Sequence, residues 1–340
     1  MNLPNHNFQD SGVESSCALR IERFEREAVE FFASLLRAPS DDCWGGVTGG
    51  NGQGNLYGLY LARETVGHGI VYVTSEIRDS VMRALRLLNL RSIVVRTRPS
   101  GEMDYEDLER HARRNKGVSA IVVANVGTAW TEARDDVASI RETLQIAGVR
   151  NVFVHCDAAL SGPYARFIDP SPRFDFAHGA DSITFSGHRF LGSPVPCGVS
   201  LTRKRHVVEH SERHFASRTA LLGPASAYAV LVLWSVSRSL GWCGIRDRFH
   251  QCEALASDTV ELLNASGSQA WRNPGALTVV FQRPDDALLA KWRLSARGDQ
   301  AHLVVTPGTG RSQIERFIRE LSPISGRTRY APIVESACLE

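Results

Sequence analysis

Two stretches of the chain combine an apolar run with polar side chains that could do chemistry. Val152-Phe153-Val154-His155-Cys156-Asp157 ends in a carboxylate, and Asp181–Phe185 leads into the turn Ser186-Gly187-His188-Arg189. A carboxylate at the carboxyl end of a strand lies where open α/β sheets bind their ligands. The residue types alone leave simpler interpretations open. Asp157 could serve as a helix cap or ion-pair partner, and the Ser-Gly-His segment as an ordinary surface turn.

A glycine-rich stretch, Val47–Asn55, precedes a helical run and contains Gly50, Asn51 and Gly52. Glycines let backbone N–H groups turn toward an anion, and the start of a helix adds a favourable field. The stretch is therefore a candidate anion site, although a plain turn is the commoner meaning of such a sequence. A second glycine segment, Gly298–Leu303, predicts only a turn that enters a strand.

The elements that would position these side chains follow from the hydrophobic pattern. Short apolar runs alternate with longer amphipathic ones, which predicts an α/β fold with a mostly parallel sheet buried on both faces. The predicted strands are Gly69–Val73, Ser92–Val95, Ala120–Ala124, Val152–His155, Ser182–Phe185 and Gly198–Leu201. The predicted helices are Ile21–Leu36, Leu56–Ala62, Asp79–Leu88, Tyr105–Arg114 and Asp136–Ala147.

A long helix over about Ala225–Leu240 leads into a second, smaller α+β unit. Its predicted elements are two helices and two strands: Phe249–Leu263, Leu277–Phe281, His302–Val305 and Ser312–Leu321. We therefore predict a large domain over residues 19–240 and a small domain over 241–330. A disordered segment over residues 1–18 and a tail over 331–340 would flank them.

Composition limits the classes of function. The chain has 340 residues, 43% hydrophobic, with a net charge of +2. This small net charge, without a long block of like charge, does not indicate a nucleic-acid-binding surface. The polar N-terminus lacks an apolar stretch long enough for a signal peptide or a membrane span. The seven cysteines are scattered without zinc-like spacing, as in reduced cytosolic proteins. We expect a cytoplasmic protein with no metal, nucleic-acid or membrane partner.

Taken together, in this order and spacing, the motifs resemble the group II pyridoxal-phosphate (PLP) dependent amino-acid decarboxylases. The most specific elements are His155–Gly162 and the segment from Ser186-Gly187-His188 to Gly198, and the resemblance covers roughly Phe24–Leu321. The nearest branch looks like the bacterial histidine decarboxylases and the plant serine decarboxylases. The resemblance implies a fold type I transferase-like fold and PLP as the cofactor. It places Asp157 beside the ring nitrogen, and Ser186 and His188 near the phosphate and the Schiff base.

The chain departs from the family pattern at the position that matters most. The family's Schiff-base lysine follows the Ser-Gly-His turn, where this chain has Arg189. A Schiff base needs a neutral amine, whereas a guanidinium stays charged with a pKa above about 12. The chain has only three lysines, and the resemblance places none of them near Asp157: Lys116, Lys204 and Lys291.

Other positions of the family site differ as well. The resemblance aligns Arg78 with the ring-stacking histidine and Gly52 with the phosphate-cup threonine. Near Gly223–Tyr228 the chain has mostly small and apolar residues where the resemblance implies a polar active-site stretch. The N-terminal segment is also shorter than in the family. The candidate cofactor-binding residues are thus Gly50, Asn51, Gly52, Arg78, Asp157, Ser186 and His188. Arg189, His188 and Asp157 occupy the catalytic positions.

Three hypotheses follow. The chain has lost or altered lysine-dependent PLP catalysis and acts as a binding or regulatory partner. Alternatively, it is a decarboxylase or other lyase that holds PLP, or a PLP–amino-acid aldimine, without a covalent bond. Or it reuses the pocket as a PLP-independent enzyme, with Arg78 and Arg189 binding an anionic substrate. The ligand would be a small amino acid or an anionic small molecule. The resemblance implies a homodimer or a heterodimer with a paralogue.

Overall fold

A computed structural model describes residues 21–207 and 226–321 of the chain. The predicted disorder of residues 1–18 and the predicted tail at 331–340 lie outside these ranges. Of the stretch Gly223–Tyr228, where the family's polar active-site residues are absent, Gly223 to Ala225 lie outside the described ranges. All the other predicted elements fall, wholly or nearly so, within the described residues.

The apolar runs of the first two thirds of the chain form one seven-stranded sheet in the order β1-β7-β6-β5-β4-β2-β3. Strands β2 to β6 are parallel to one another, and β7 is antiparallel to both its neighbours, β6 and β1. The strands are β1 (Trp44–Thr48), β2 (Ile70–Thr74), β3 (Ser92–Val95), β4 (Ala120–Asn125), β5 (Val152–Asp157), β6 (Ser182–Ser186) and β7 (Gly198–Thr202). The predicted mostly parallel sheet and its six predicted strands are confirmed.

Helices cover both faces of this sheet. The helices of the large unit are α1 (Ile21–Leu35), α2 (Asn51–Val66), α3 (Asp79–Leu87), α4 (Tyr105–Arg114) and α5 (Val137–Ile146). Because successive side chains of a strand point to opposite faces, alternate residues of β2 enter different cores. Val71 and Val73 belong to a core cluster with residues of α2 and α3, while Ile70 and Tyr72 belong to the second core cluster, which contains residues of α4 and α5. Burial on both faces explains why these strands are almost wholly apolar.

The glycine-rich stretch contains the end of a strand, a short turn at Gly49 and Gly50, and the start of a helix. Strand β1 ends at Thr48 and α2 begins at Asn51, well ahead of the predicted helix start at Leu56. Glycines suit these elements because neighbouring groups approach the backbone too closely for a side chain. A Cβ at Gly45 would lie 2.4 Å from Leu201 Cδ2, and one at Gly54 would overlap Thr184. Local propensity cannot register such tertiary contacts.

The C-terminal unit contains a three-stranded antiparallel sheet in the order β8-β10-β9. Its strands and helices are β8 (Thr278–Gln282), α7 (Asp286–Trp292), β9 (Ser295–Arg297), β10 (Gln300–Val304) and α8 (Arg311–Glu320). The two helices predicted before it follow each other directly in α6 (Ala227–Ala265) and meet at a kink, where Gly241 has non-helical dihedrals (φ 56°, ψ −166°). The predicted domain boundary at residues 240/241 coincides with this break and stays a prediction.

Among the described helices, α6 is long and apolar enough to cross a membrane by length and composition alone. It packs instead on α1, where the Trp234 ring lies edge-on to Phe24 at a centroid distance of 4.8 Å. Trp234 Nε1 also donates a hydrogen bond to Glu27 Oε2 (2.7 Å). These contacts are typical of a helix that belongs to a globular domain, so they do not favour a membrane span.

Candidate functional site

The candidate site lies at the carboxyl edge of the parallel strands. Asp157 is the last residue of β5, and in the sheet it pairs with Asn125 at the end of β4 and with Thr184 in β6. Helix α2 begins at Asn51 and packs over β5 and β6. The fold therefore brings the glycine-rich stretch to the strand end that carries the carboxylate.

Three hydrogen-bond donors and one cationic group surround the Asp157 carboxylate. Asn51 Nδ2 donates to Oδ1 (2.9 Å) and Asn55 Nδ2 donates to Oδ2 (2.8 Å). The two asparagines are one helical turn apart in α2, so their side chains lie on the same face. The backbone N–H of Ala159 donates to Oδ1 at 3.2 Å, and Arg78 Nε lies 3.6 Å from the same oxygen. The Asp157 side chain is only 1% exposed, so its charge is held inside a nearly closed set of donors.

Behind this carboxylate lies a buried polar relay formed by Asn55, His155 and Ser182. Asn55 Oδ1 lies 3.0 Å from His155 Nε2, and His155 Nδ1 lies 2.7 Å from Ser182 Oγ. Because the Asn55 amide nitrogen faces the acceptor Asp157, its oxygen faces His155, which must therefore carry its proton on Nε2. Burial lowers the pKa of His155 to about 4, while Asp157 raises it. The imidazole is thus neutral near pH 7.

Two arginines lie near the carboxylate. Arg78 directly precedes α3, and its Nη2 donates a hydrogen bond to the carbonyl of Gly127 (3.1 Å). Partial desolvation and the charge of Arg78 lower the pKa of Arg189, whereas Asp157 raises it. Arg189 is therefore close enough to feel both charges. It is exposed, and its guanidinium has no hydrogen bond or ion pair with the residues that the structure describes.

The remaining predicted site residues lie around the start of α2 and the end of β6. A Cβ at Gly50 would be 3.9 Å from His188 Cε1, so this turn and the histidine are neighbours. His188 Nδ1 lies 3.0 Å from the carbonyl of Cys197, and the residue is exposed. Ser186 is buried at the end of β6, where its N–H donates to Ala159 O (3.1 Å). Gly52 faces Ser80, whose Cβ would lie 3.3 Å from an added Cβ.

All three lysines of the chain lie in the described residues, away from Asp157. Lys116 follows α4 and precedes β4, so it is at the opposite edge of the sheet. Lys204 follows β7 at that same edge, where its N–H donates to Asp42 Oδ1 (3.1 Å). Lys291 is in α7, and its Nζ lies 2.9 Å from Glu320 Oε1. None of these amines can take the place of a lysine at position 189.

The interpretation of the sequence missed the relay residues Asn55, His155 and Ser182. His155 interrupts an apolar strand and Asn55 stands one turn after Asn51, so a signal was present. A further signal was Gly58, where a Cβ would lie 2.3 Å from His155 Cε1. The prediction of a helix in this region did not reveal that one face of α2 contributes to a polar network.

Comparison with known proteins identifies the family. The family description "Pyridoxal-dependent decarboxylase conserved domain" matches residues 60–282. A histidine decarboxylase of Mesorhizobium japonicum is 45% identical over 325 residues, which cover 95% of this chain and 88% of that protein. A histidine decarboxylase of Acinetobacter baumannii is 36% identical over 297 residues, which cover 86% and 78% of the two chains.

Solved structures agree with this assignment at the level of the fold. The internal aldimine form of L-methionine decarboxylase from Streptomyces sp. 590 superimposes with a TM-score of 0.80 at 21% identity, covering 88% of this chain and 82% of that chain. Oryza sativa TDC with PLP and tryptamine gives a TM-score of 0.74 at 18% identity, covering 88% and 76%. The chain belongs to the PLP-dependent decarboxylase family and has its fold type I architecture.

The residues of this site fit PLP only in part. The glycine-rich start of α2 beside His188 suits a phosphate group. The carboxylate does not suit a protonated ring nitrogen, because Asn51, Asn55 and Arg78 already cover it. The three lysines of the chain also lie away from Asp157. The site therefore does not fit PLP in the way that the family uses it, where the ring serves as an electron sink.

Proposed function

We propose that this chain is a member of the PLP-dependent decarboxylase family without lysine-dependent PLP catalysis, and that its pocket binds a small anionic molecule. The observation that carries the proposal is Arg189 at the Schiff-base position, together with the placement of all three lysines away from Asp157. A guanidinium cannot act as the neutral amine nucleophile. It can, however, bind a carboxylate or phosphate through two parallel hydrogen bonds.

The test is covalent trapping of PLP. Wild-type protein, Arg189→Lys and Arg189→Gln are incubated with PLP, reduced with borohydride and mapped by peptide mass spectrometry. We expect no stoichiometric adduct in the wild type or in Arg189→Gln, which removes the charge without adding an amine. Arg189→Lys should give a single adduct at position 189. Heat-denatured protein supplies the background for surface lysines.

A stoichiometric wild-type adduct on Lys116, Lys204 or Lys291, with an internal-aldimine absorbance band, would refute the proposal. The chain would then be a PLP-dependent member of the family whose Schiff-base lysine stands at a different position.

A second candidate is a decarboxylase that binds PLP, or a PLP–amino-acid aldimine, without a covalent bond. It is favoured by the 45% identity to a histidine decarboxylase over 95% of the chain and by the presence of Asp157, Ser186 and His188. Amine formation from histidine or another small amino acid with added PLP would support this candidate. Turnover of an anionic substrate without PLP would instead support a PLP-independent enzyme.

The proposed regulatory role requires a partner. We propose that the chain forms a homodimer, or a heterodimer with a paralogue that retains the lysine. Native mass spectrometry of the chain alone and mixed with such a paralogue separates these outcomes. A mixed dimer with altered decarboxylase activity would support a regulatory partner, and a strictly monomeric chain would argue against it.

A further inference from the structure

We infer that Arg78 takes the place of the cofactor's ring cation opposite Asp157, so that the folded chain closes its own pocket to a protonated pyridine ring. This inference goes beyond the proposed function, because it concerns recognition of the ring rather than covalent attachment at position 189. It depends on Arg78 and the carboxylate, and it would hold or fail whether or not a lysine captures PLP.

The first support is the way in which Arg78 is anchored. Its Nε lies 3.6 Å from Asp157 Oδ1, and its Nη2 donates to Gly127 O at 3.1 Å. The Arg78 side chain is 16% exposed. Two contacts made by different nitrogens hold the planar guanidinium in one orientation, which a single contact would not do.

The second support is that the carboxylate has no open face. A carboxylate offers about four lone-pair positions; three hydrogen-bond donors occupy three of them at Asp157, and the Arg78 guanidinium lies 3.6 Å from Oδ1. Asn51 Nδ2 donates to Asp157, while Asn51 Oδ1 is buried without a partner among the described residues. Because the carboxylate can only accept, the Asn51 amide cannot turn around to offer its oxygen instead. A ring nitrogen would have to displace one of these donors.

The third support is the charge of the pocket. Arg78 pairs with the single carboxylate of Asp157, and Arg189 lies close enough to be affected by the charges of both. A protonated ring would add a third cation to this cluster. An anion would compensate the excess positive charge, so the site favours a small carboxylate or phosphate without a basic ring.

The test compares two phosphate esters that differ only in the ring atom facing Asp157. Pyridoxine 5′-phosphate has the ring and the phosphate but no aldehyde, so it cannot form a Schiff base with any lysine. Its benzene analogue lacks the ring nitrogen. Dissociation constants for both are measured by calorimetry with the wild type, Arg78→Gln, and Arg78→Gln combined with Asp157→Asn.

We expect the wild type to show no preference for the ring nitrogen, either by binding both esters equally or by binding neither. Arg78→Gln should bind pyridoxine 5′-phosphate roughly tenfold to hundredfold more tightly than the analogue, as expected for one hydrogen bond to a charged group. Adding Asp157→Asn should abolish this preference. Arg203→Gln is the matched control, since Arg203 is 15% exposed and pairs with Asp42 at 3.2 Å, away from the site. It should behave as the wild type does.

Two results would overturn the inference. A wild-type preference of tenfold or more for the ring nitrogen would mean that Asp157 is already open to it. Failure of Arg78→Gln to gain a preference, including failure to bind either ester, would mean that Arg78 is not what closes the site. If Arg78→Gln does not fold, Arg78→His restores the residue that the family resemblance implies and is measured in the same way. A trapped wild-type lysine adduct would refute only the proposed function.

Discussion

Protonation of His155 should destabilise the folded protein in a narrow range of pH. The His155 ring is fully buried between Asn55 and Ser182, and its contacts require a proton on Nε2 and an acceptor at Nδ1. A second proton on Nδ1 would face Ser182, whose hydroxyl can turn to accept it. The buried charge itself would still lack solvation. His155→Gln removes this titration and keeps an amide donor toward Asn55.

The magnitude follows from the pKa of His155, which burial lowers to about 4 from an ordinary value of about 6.5. Between these two values the unfolded chain binds the proton and the folded chain does not, so stability falls as the pH falls. At about 1.4 kcal/mol per pH unit, the loss from pH 6.5 to pH 4 is about 3 kcal/mol. About 2 kcal/mol of this loss should already have occurred at pH 5.

Urea denaturation of the wild type and His155→Gln between pH 7 and pH 5 measures this loss. We expect His155→Gln to be less stable at pH 7, and the difference between the two proteins to narrow by about 2 kcal/mol at pH 5. Burial also raises the pKa of Asp135 to about 7, which stabilises the folded state as the pH falls. That opposite contribution is common to both proteins and cancels in the difference. Parallel curves for the two proteins would refute the assigned state of His155.

Two further substitutions and one control substitution test the packing of the fold. Gly58→Ala places a methyl group 2.3 Å from His155 and should cost about 1–3 kcal/mol in the free energy of unfolding. Gly117→Ala, which meets nothing within 4 Å, should change it by less than about 0.5 kcal/mol, and equal losses would contradict the explanation. Glu132→Gln removes the charge of a fully buried carboxylate that pairs with the largely buried Arg134 (2.6 Å) and should cost about 3–5 kcal/mol, seen as a lower urea midpoint. An unchanged urea midpoint would show that the Glu132–Arg134 pair does not stabilise the folded state.

Hydrophobic periodicity was sufficient to predict the large sheet, because its strands are buried on both faces and read as continuous apolar runs. The strand Ala120–Ala124 and the helix Tyr105–Arg114 illustrate this, since periodicity over a buried segment needs no tertiary information. Strand β1 was missed because Gly45 and Gly46 lower its strand propensity. The presence of Gly45 is explained by β7, whose Ser200 and Leu201 approach it closely in the folded sheet.

The site was predictable to the extent that the resemblance supplied positions for Asp157, Arg78 and Arg189. The resemblance did not reveal that Arg78 contacts Asp157, because that contact depends on how the loop before α3 meets the end of β5. The His155 relay was also hidden, since each polar residue sits in a separate element and only tertiary packing joins them.

The most direct test of the central claim is carbon dioxide release from histidine by wild-type protein with added PLP. The lack of a lysine near Asp157 predicts release no faster than that of PLP alone, for histidine and for a panel of other amino acids. The Mesorhizobium japonicum histidine decarboxylase serves as the positive control. Histidine-dependent release well above the background, lost in Asp157→Ala, would contradict the account.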